Sequence, residues 1–245
     1  MRIKSVLLCL SAAAAFGSSF ANATPILVNG NFESTTNGGN KQLSSQVTDQ
    51  ANRTTLTGWT SSNGKDGGYN FVLDSSIADT RASAIWLRGK DNGYSASPGG
   101  GNMFASDALY WPGVLSQTVT GLTIGQAYTL SFDYAMAQQA GFRGANKDNF
   151  WQVGFGDASQ NTDWLSLTDG GFSGWKTASM TFTATSVSQV LSFLAKGTAP
   201  GAPPFLLLDG VSLVSAVPEP AMWGMLLGGI GLVGFAVRRR VKKTA

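Results

Sequence analysis

From residue 128 to residue 136 apolar and polar side chains alternate almost without a break. Tyr128, Leu130, Phe132, Tyr134 and Met136 take one parity; Thr129, Ser131, Asp133 and Ala135 take the other. A period of two marks a strand with one buried face, so the first set should point into a core. Trp151, Val153 and Phe155 repeat the pattern, as do Met180, Phe182 and Ala184, then Leu191, Phe193 and Ala195. A last strand is predicted from Phe205 to Val214. Upstream, Tyr69 to Leu73, Ala84 to Leu87, Asn102 to Ala105 and Val114 to Val119 read as further strands, and Gly121 to Gly125 as a turn. Clusters of Gly, Asn, Ser and Asp separate these segments. No amphipathic helix of convincing length interrupts the series. Two antiparallel sheets packed face to face are the natural solution, an all-β sandwich.

The two ends follow different rules. Arg2 and Lys4 precede an apolar run from Val6 to Phe16, and Ala21-Asn22-Ala23 gives the small-residue cleavage pattern of a secretory signal. Cleavage after Ala23 is expected, following export through the Sec translocon. At the other end, Val217-Pro218-Glu219-Pro220 precedes an uncharged stretch, Ala221 to Val237, and then Arg238-Arg239-Arg240 and Lys242-Lys243. As a helix, residues 221–237 would span about 26 Å, short for a bilayer core of about 30 Å but close to it. The basic cluster should keep its end, residues 241–245 included, cytoplasmic, which places everything before residue 217 across the membrane. Gly224 and Gly228 are spaced for close helix packing, although glycines are also simply common in membrane helices.

The prolines make the tail more than a plain anchor. Pro-Glu-Pro breaks helical continuation and holds the backbone extended, which suits the grip of a processing enzyme. In this order, Pro218-Glu219-Pro220, short Gly-rich apolar helix and Arg238–Arg240, the tail resembles the PEP-CTERM sorting signals over about residues 217–240. The resemblance implies recognition by exosortase, a membrane protease-transpeptidase, in a Gram-negative bacterium that makes exopolysaccharide. A transient inner-membrane anchor and later release to the cell surface or extracellular matrix follow from it.

Composition narrows the chemistry of the part between the termini. The sole cysteine, Cys9, falls in the signal segment, and the chain has no histidine. Serine or cysteine nucleophiles activated by imidazole are therefore excluded, as are the usual zinc sites. Of 17 Lys and Arg, seven lie in the two termini; the ten that remain face 13 acids. The exported part is thus about −3, and its scattered bases form no nucleic-acid patch. Residues 24–215 suffice for one domain with a proper core.

Three further segments bear on the fold. They are Leu27-Val28-Asn29-Gly30-Asn31-Phe32-Glu33 with Gly58-Trp59, then Leu115–Val119 with Gly125–Phe132, then Leu207-Leu208-Asp209-Gly210-Val211-Ser212-Leu213. In that order they resemble the galactose-binding-like jelly roll of secreted carbohydrate-binding modules. In such modules a first-strand Glu and a last-strand Asp often hold a structural Ca²⁺, which the resemblance carries to Glu33 and Asp209. Asp209 also shares parity with Phe205, Leu207, Val211 and Leu213, and a carboxylate on an apolar face needs a partner. Either a cation supplies it, or the strand bulges there and Asp209 caps a turn before Gly210.

Trp59, Trp86, Trp151 and Trp175 sit in strand-like surroundings and are expected in the core. Tyr110-Trp111-Pro112 lies between strands and Tyr94 in a Gly/Ser-rich loop. Exposed rings of this kind can stack on sugars, with Asp107 nearby to bond hydroxyls; equally, they can cover an open end of the sandwich. Catalysis on polysaccharide would need two convergent carboxylates, and no spacing singles out a pair. The expected protein is a non-catalytic, sorted surface or matrix protein with a structural or adhesive role linked to exopolysaccharide; the first rival is a carbohydrate-binding module with a specific glycan pocket. A polysaccharide-acting enzyme is the remaining rival.

Overall fold

A computed structural model describes residues 26–44, 51–62, 68–88, 91–197 and 202–216. The signal segment with Ala21 and Ala23, and the tail from Val217 through Arg240, lie outside the described residues. The strands in chain order are β1 Lys41–Leu43, β2 Arg53–Thr54, β3 Thr60–Ser62, β4 Asn70–Asp74, β5 Asn102–Asp107, β6 Val114–Thr120 and β7 Ala127–Gln138. They continue with β8 Asn146–Phe155, β9 Ala158–Asn161, β10 Leu165–Leu167, β11 Lys176–Thr183, β12 Ser188–Lys196 and β13 Pro204–Ser215. A seven-stranded sheet runs β11-β7-β13-β5-β4-β1-β2, and a second runs β10-β8-β12-β6-β3 with β9 hydrogen-bonded to β8. Their pairings are antiparallel except β1 with β2. The architecture is the two-layer sandwich that the alternation predicts, in the jelly-roll form that the resemblance implies.

The core between the sheets is built from the predicted parities. Tyr128, Leu130, Phe132, Tyr134 and Met136 of β7 are buried with Trp151, Val153 and Phe155 of β8 and Leu191, Phe193 and Ala195 of β12. Rings meet edge to face both across the layers, Phe132 and Phe193 5.2 Å apart at 88°, and within the second sheet, Trp151 and Phe193 6.3 Å apart at 90°. The Trp151 indole N–H donates to the Leu207 carbonyl at 3.1 Å, so its one polar atom is satisfied inside the core.

A second apolar cluster closes the outer face of the seven-stranded sheet. Phe71, Leu73, Met103, Ala105, Ala135, Ala137, Phe205 and Leu207 point outward from that sheet and are covered by Ala78, Ile85 and Leu87. Ala84 to Leu87 is therefore not the strand its composition predicts. It is a covering turn tied to the sheet by a single bridge, Leu87 with Gln139. Trp86 departs from expectation for the same reason. With Ile85 and Leu87 turned inward, Trp86 faces solvent, with the Arg81 guanidinium 5.0 Å over its ring. Trp59 and Trp151 are core as expected, and Trp175 is half-buried against the second cluster.

The last strand changes parity. Leu206 and Leu208 face the inter-sheet core with Val211 and Leu213, whereas Phe205 and Leu207 face the outer cluster. The register supplies the reason: Asp209 pairs with Asp133 and Ser212 with Ser131, so β13 carries one extra residue, a bulge at Gly210 whose φ is +60°. Asp209 consequently leaves the parity of Val211 and Leu213.

Candidate functional site

Because the seven-stranded sheet is covered on both sides, the open face of the sandwich is the outside of the other sheet. Trp151, Val153 and Phe155 turn inward on β8, which leaves Phe150, Gln152 and Gly154 outside. On β12 the outward set is Val190, Ser192, Leu194 and Lys196; on β6 it is Val114, Ser116 and Thr118. The registers align these into rows across the sheet. One row is Gly154, Ser192, Ser116 and Thr60, four small groups in line. Such a row sinks the surface into a trough, and a groove of about 260 Å³ lies there between Val114, Gln152, Leu194 and the β8–β9 hairpin with Asp157 and Ser159.

Aromatic rings mark one end of this face. Phe150, opposite Lys196 in the register, stacks on Trp164 at 6.4 Å and 23°, and Trp164 is 65% exposed. At the end of β12 the loop after β5 folds over Gly197, where an added Cβ would lie 2.9 Å from Leu109 Cδ2. That loop carries Tyr110 and Trp111, stacked at 6.2 Å and 16° and exposed by 58% and 63%. Tyr110 is held from behind by the edge of Tyr69 at 5.2 Å, which leaves Trp111 as the outer ring. Trp111 has a φ of +48°, a left-handed conformation that costs a bulky residue energy and persists where surrounding structure enforces it.

Asp107 enforces it from beneath. Its Oδ1 accepts hydrogen bonds from the Leu109 N–H at 2.8 Å and the Tyr110 N–H at 3.0 Å. The residue is buried, and loss of solvation raises its pKa while those two bonds oppose the rise. Asp107 therefore shapes the aromatic turn from the inside and does not present its carboxylate to a ligand, in contrast to the sequence expectation. Tyr94 also departs from it: its hydroxyl donates to the Ser75 carbonyl at 2.9 Å and its ring packs 5.1 Å from Phe172, as part of the cover over the seven-stranded sheet. Trp164 and Phe150, absent from the sequence expectation, occupy the face that Tyr94 does not.

Glu33 and Asp209 flank one loop. The Ser97 hydroxyl donates to Asp209 Oδ2, and the Asn102 N–H donates to Glu33 Oε1 at 2.7 Å. Gly101, with φ +62°, touches Glu33 so closely that a Cβ would lie 2.1 Å from Oε1. Asp209 is 1% exposed, and its other oxygen accepts from the Gly210 N–H at 2.7 Å. Burial pushes its pKa up to about 6; the Ser97 and Gly210 bonds pull it down, and Glu33 and Asp133 push it up again. The charges acting on this buried carboxylate are thus both negative, a donor set that suits a hard cation. Among the described residues no group of three or more acidic, Cys or His side chains gathers in metal-binding geometry, so further ligands would be backbone or hydroxyl oxygens.

A PEP-CTERM protein-sorting motif matches residues 216–240. No curated protein sequence matches the chain. Among solved structures, TmCBM61 in complex with β-1,4-galactotriose is 15% identical, with a TM-score of 0.43 over 79% of this chain and 99% of that one. A CBM4 structure is 18% identical, with a TM-score of 0.31 over 77% and 99%. The CBM22-1 xylan-binding domain of Paenibacillus barcinonensis Xyn10C is 15% identical, with a TM-score of 0.34 over 64% and 85%.

Proposed function

We propose that the protein is an exported, exosortase-sorted surface or matrix protein of a Gram-negative cell whose sandwich binds polysaccharide without cleaving it. The sorting motif supports the destination. The observation that carries the binding role is the open sheet face: a trough of small groups running across the strands, with two stacked aromatic pairs beyond it at the strand ends. A sugar ring offers C–H faces to aromatic rings and hydroxyls to groups such as Gln152 and Ser192, and a long open trough accepts a chain. Glycoside hydrolysis uses a pair of carboxylates about 5–9.5 Å apart, whereas the groove walls contribute one acid, Asp157. The role is adhesive or structural within exopolysaccharide, with export through the Sec translocon and a temporary hold in the inner membrane by residues 221–237.

Calcium at Glu33 and Asp209 belongs to the same proposal. The ion would offset three neighbouring negative charges and tie the 97–102 loop to the bulge of β13, a stabilising role remote from sugar chemistry.

The test is a panel of immobilised polysaccharides probed with the mature protein and with Trp111→Ala and Trp164→Ala variants. Binding that falls in both variants is expected. A wild type that binds none, or variants that bind as well as it does, would overturn the reading. Release of shorter saccharides would show an enzyme instead.

A further inference from the structure

We propose that the pole of the sandwich opposite the aromatic turn is a lipid-docking surface, used while the precursor is held by its tail. The inference rests on the membrane-anchor reading of residues 221–237 and adds a contact made by the folded domain itself.

Both ends of the domain leave from one pole. The Ile26 N–H donates to the Leu213 carbonyl at 3.0 Å, and the Ala216 N–H to the Ala127 carbonyl at 2.9 Å, so β13 stays in the sheet up to the sorting motif. From Ala216 to Ala221, where the apolar stretch begins, there are five chain steps, which reach about 18 Å when fully extended. A tether that short keeps this pole within reach of the headgroup layer. The aromatic turn is at the other end: the Ala108 N–H bonds the Pro204 carbonyl at the start of β13, roughly 36 Å away for a 12-residue strand.

The tethered pole has the surface such a position calls for. Ile124 and Val187 are 63% and 59% exposed on two adjoining turns, joined by the Leu122 N–H to the Val187 carbonyl at 3.1 Å and the Gly125 N–H to the Ala184 carbonyl at 2.8 Å. Residues 121–126 and 184–188 contain no charged side chain. Two aliphatic tips on uncharged turns can enter the interface without dehydrating an ion, and each buried methylene favours the transfer. Docked in this way, the sandwich stands upright, with the β8–β9 hairpin and its Asp157 beside the docked turns and Trp111 directed away from the bilayer.

The mature chain lacks cysteine, which permits a single environment-sensitive label. The tail-bearing chain, from a Cys9→Ser precursor, is reconstituted into phosphatidylethanolamine–phosphatidylglycerol vesicles with the label on Ile124→Cys, Val187→Cys or, at the far pole, Phe142→Cys. Blue-shifted emission and quenching by spin-labelled lipid are expected at 124 and 187, with the 142 label remaining in water. Flotation of the chain with the vesicles reads the anchor separately. A chain that floats with all three labels in water overturns the docking surface alone. A chain that does not float overturns the anchor and the docking with it.

Discussion

Asp209 sits directly across the β13–β7 ladder from Asp133, two acids face to face at the last regular pair before the bulge at Gly210. Like charges in that position repel. Asp133 has a partner in the Thr177 hydroxyl at 2.6 Å, while Asp209 is buried against Ser97. The arrangement has a measurable consequence in pH. Burial raises the Asp209 pKa from 3.8 to about 6, so between those values the folded state binds more protons than the unfolded one. This group's contribution therefore makes stability fall as pH rises from 3.8 through about 6, and level off above. Thermal melts across that window should show the decline in the wild type and lose it in Asp209→Asn. An unchanged slope in the variant would assign it to another group.

Calcium should reverse that trend, since it binds the ionised form. At neutral pH chelator should lower the melting temperature of the wild type, and added calcium should raise it progressively above the dissociation constant. Asp209→Asn should respond much less. A wild-type melt indifferent to both chelator and calcium would remove the ion from the proposal.

The core makes its own prediction. Phe132 is 1% exposed and packs edge-on against Phe193. Phe132→Ala should cost about 3–5 kcal/mol in denaturant unfolding. A loss below about 1 kcal/mol would mean that the sheets close over the gap.

The exposed rings behave oppositely. Trp164→Ala and Trp111→Ala remove side chains that are mostly in solvent, so melting temperatures should hardly move. Polysaccharide affinity should drop by about tenfold or more if each ring is an anchor. A marked loss of stability with unchanged affinity would make the rings structural covers for the end of the sandwich.

How far the sequence shows these features depends on length and on local exceptions. β7, β8, β11 and β12 are long enough, and buried on one face only over most of their length, for period two to be visible. β2 and β3 have two and three residues, too few to alternate. Ala84 to Leu87 reads as a strand because Ile85 and Leu87 are buried, but they are buried as a cover and not in a ladder. The bulge at Gly210 takes Asp209 off the parity of Val211 and Leu213, one of the two alternatives that an Asp-Gly step within an apolar run leaves open. Trp164 is not legible in the sequence because Thr162-Asp163-Trp164-Leu165 shows no alternation. The available signal was Phe150, whose parity is opposite to Trp151 and which therefore had to face outward.

The tail separates two readings on one substitution set. A permanent anchor needs the apolar residues 221–237 and the basic cluster Arg238–Arg240, but not Pro218, Glu219 and Pro220. Replacing those three with Ala leaves the apolar stretch and the cluster intact. If the tail only anchors, the distribution of the protein should not change. If the Pro-Glu-Pro of the matched sorting motif is what the processing enzyme grips, the variant should stay full-length in the inner membrane while the wild type reaches the surface or the medium. The mass of the intact surface form is the readout, because cleavage near the motif removes the cluster. The domain holds its ladder to Ala216, so processing beyond it should leave the sandwich whole and the melting temperature unchanged. Arg238–Arg240 recovered on the surface form would end the processing proposal.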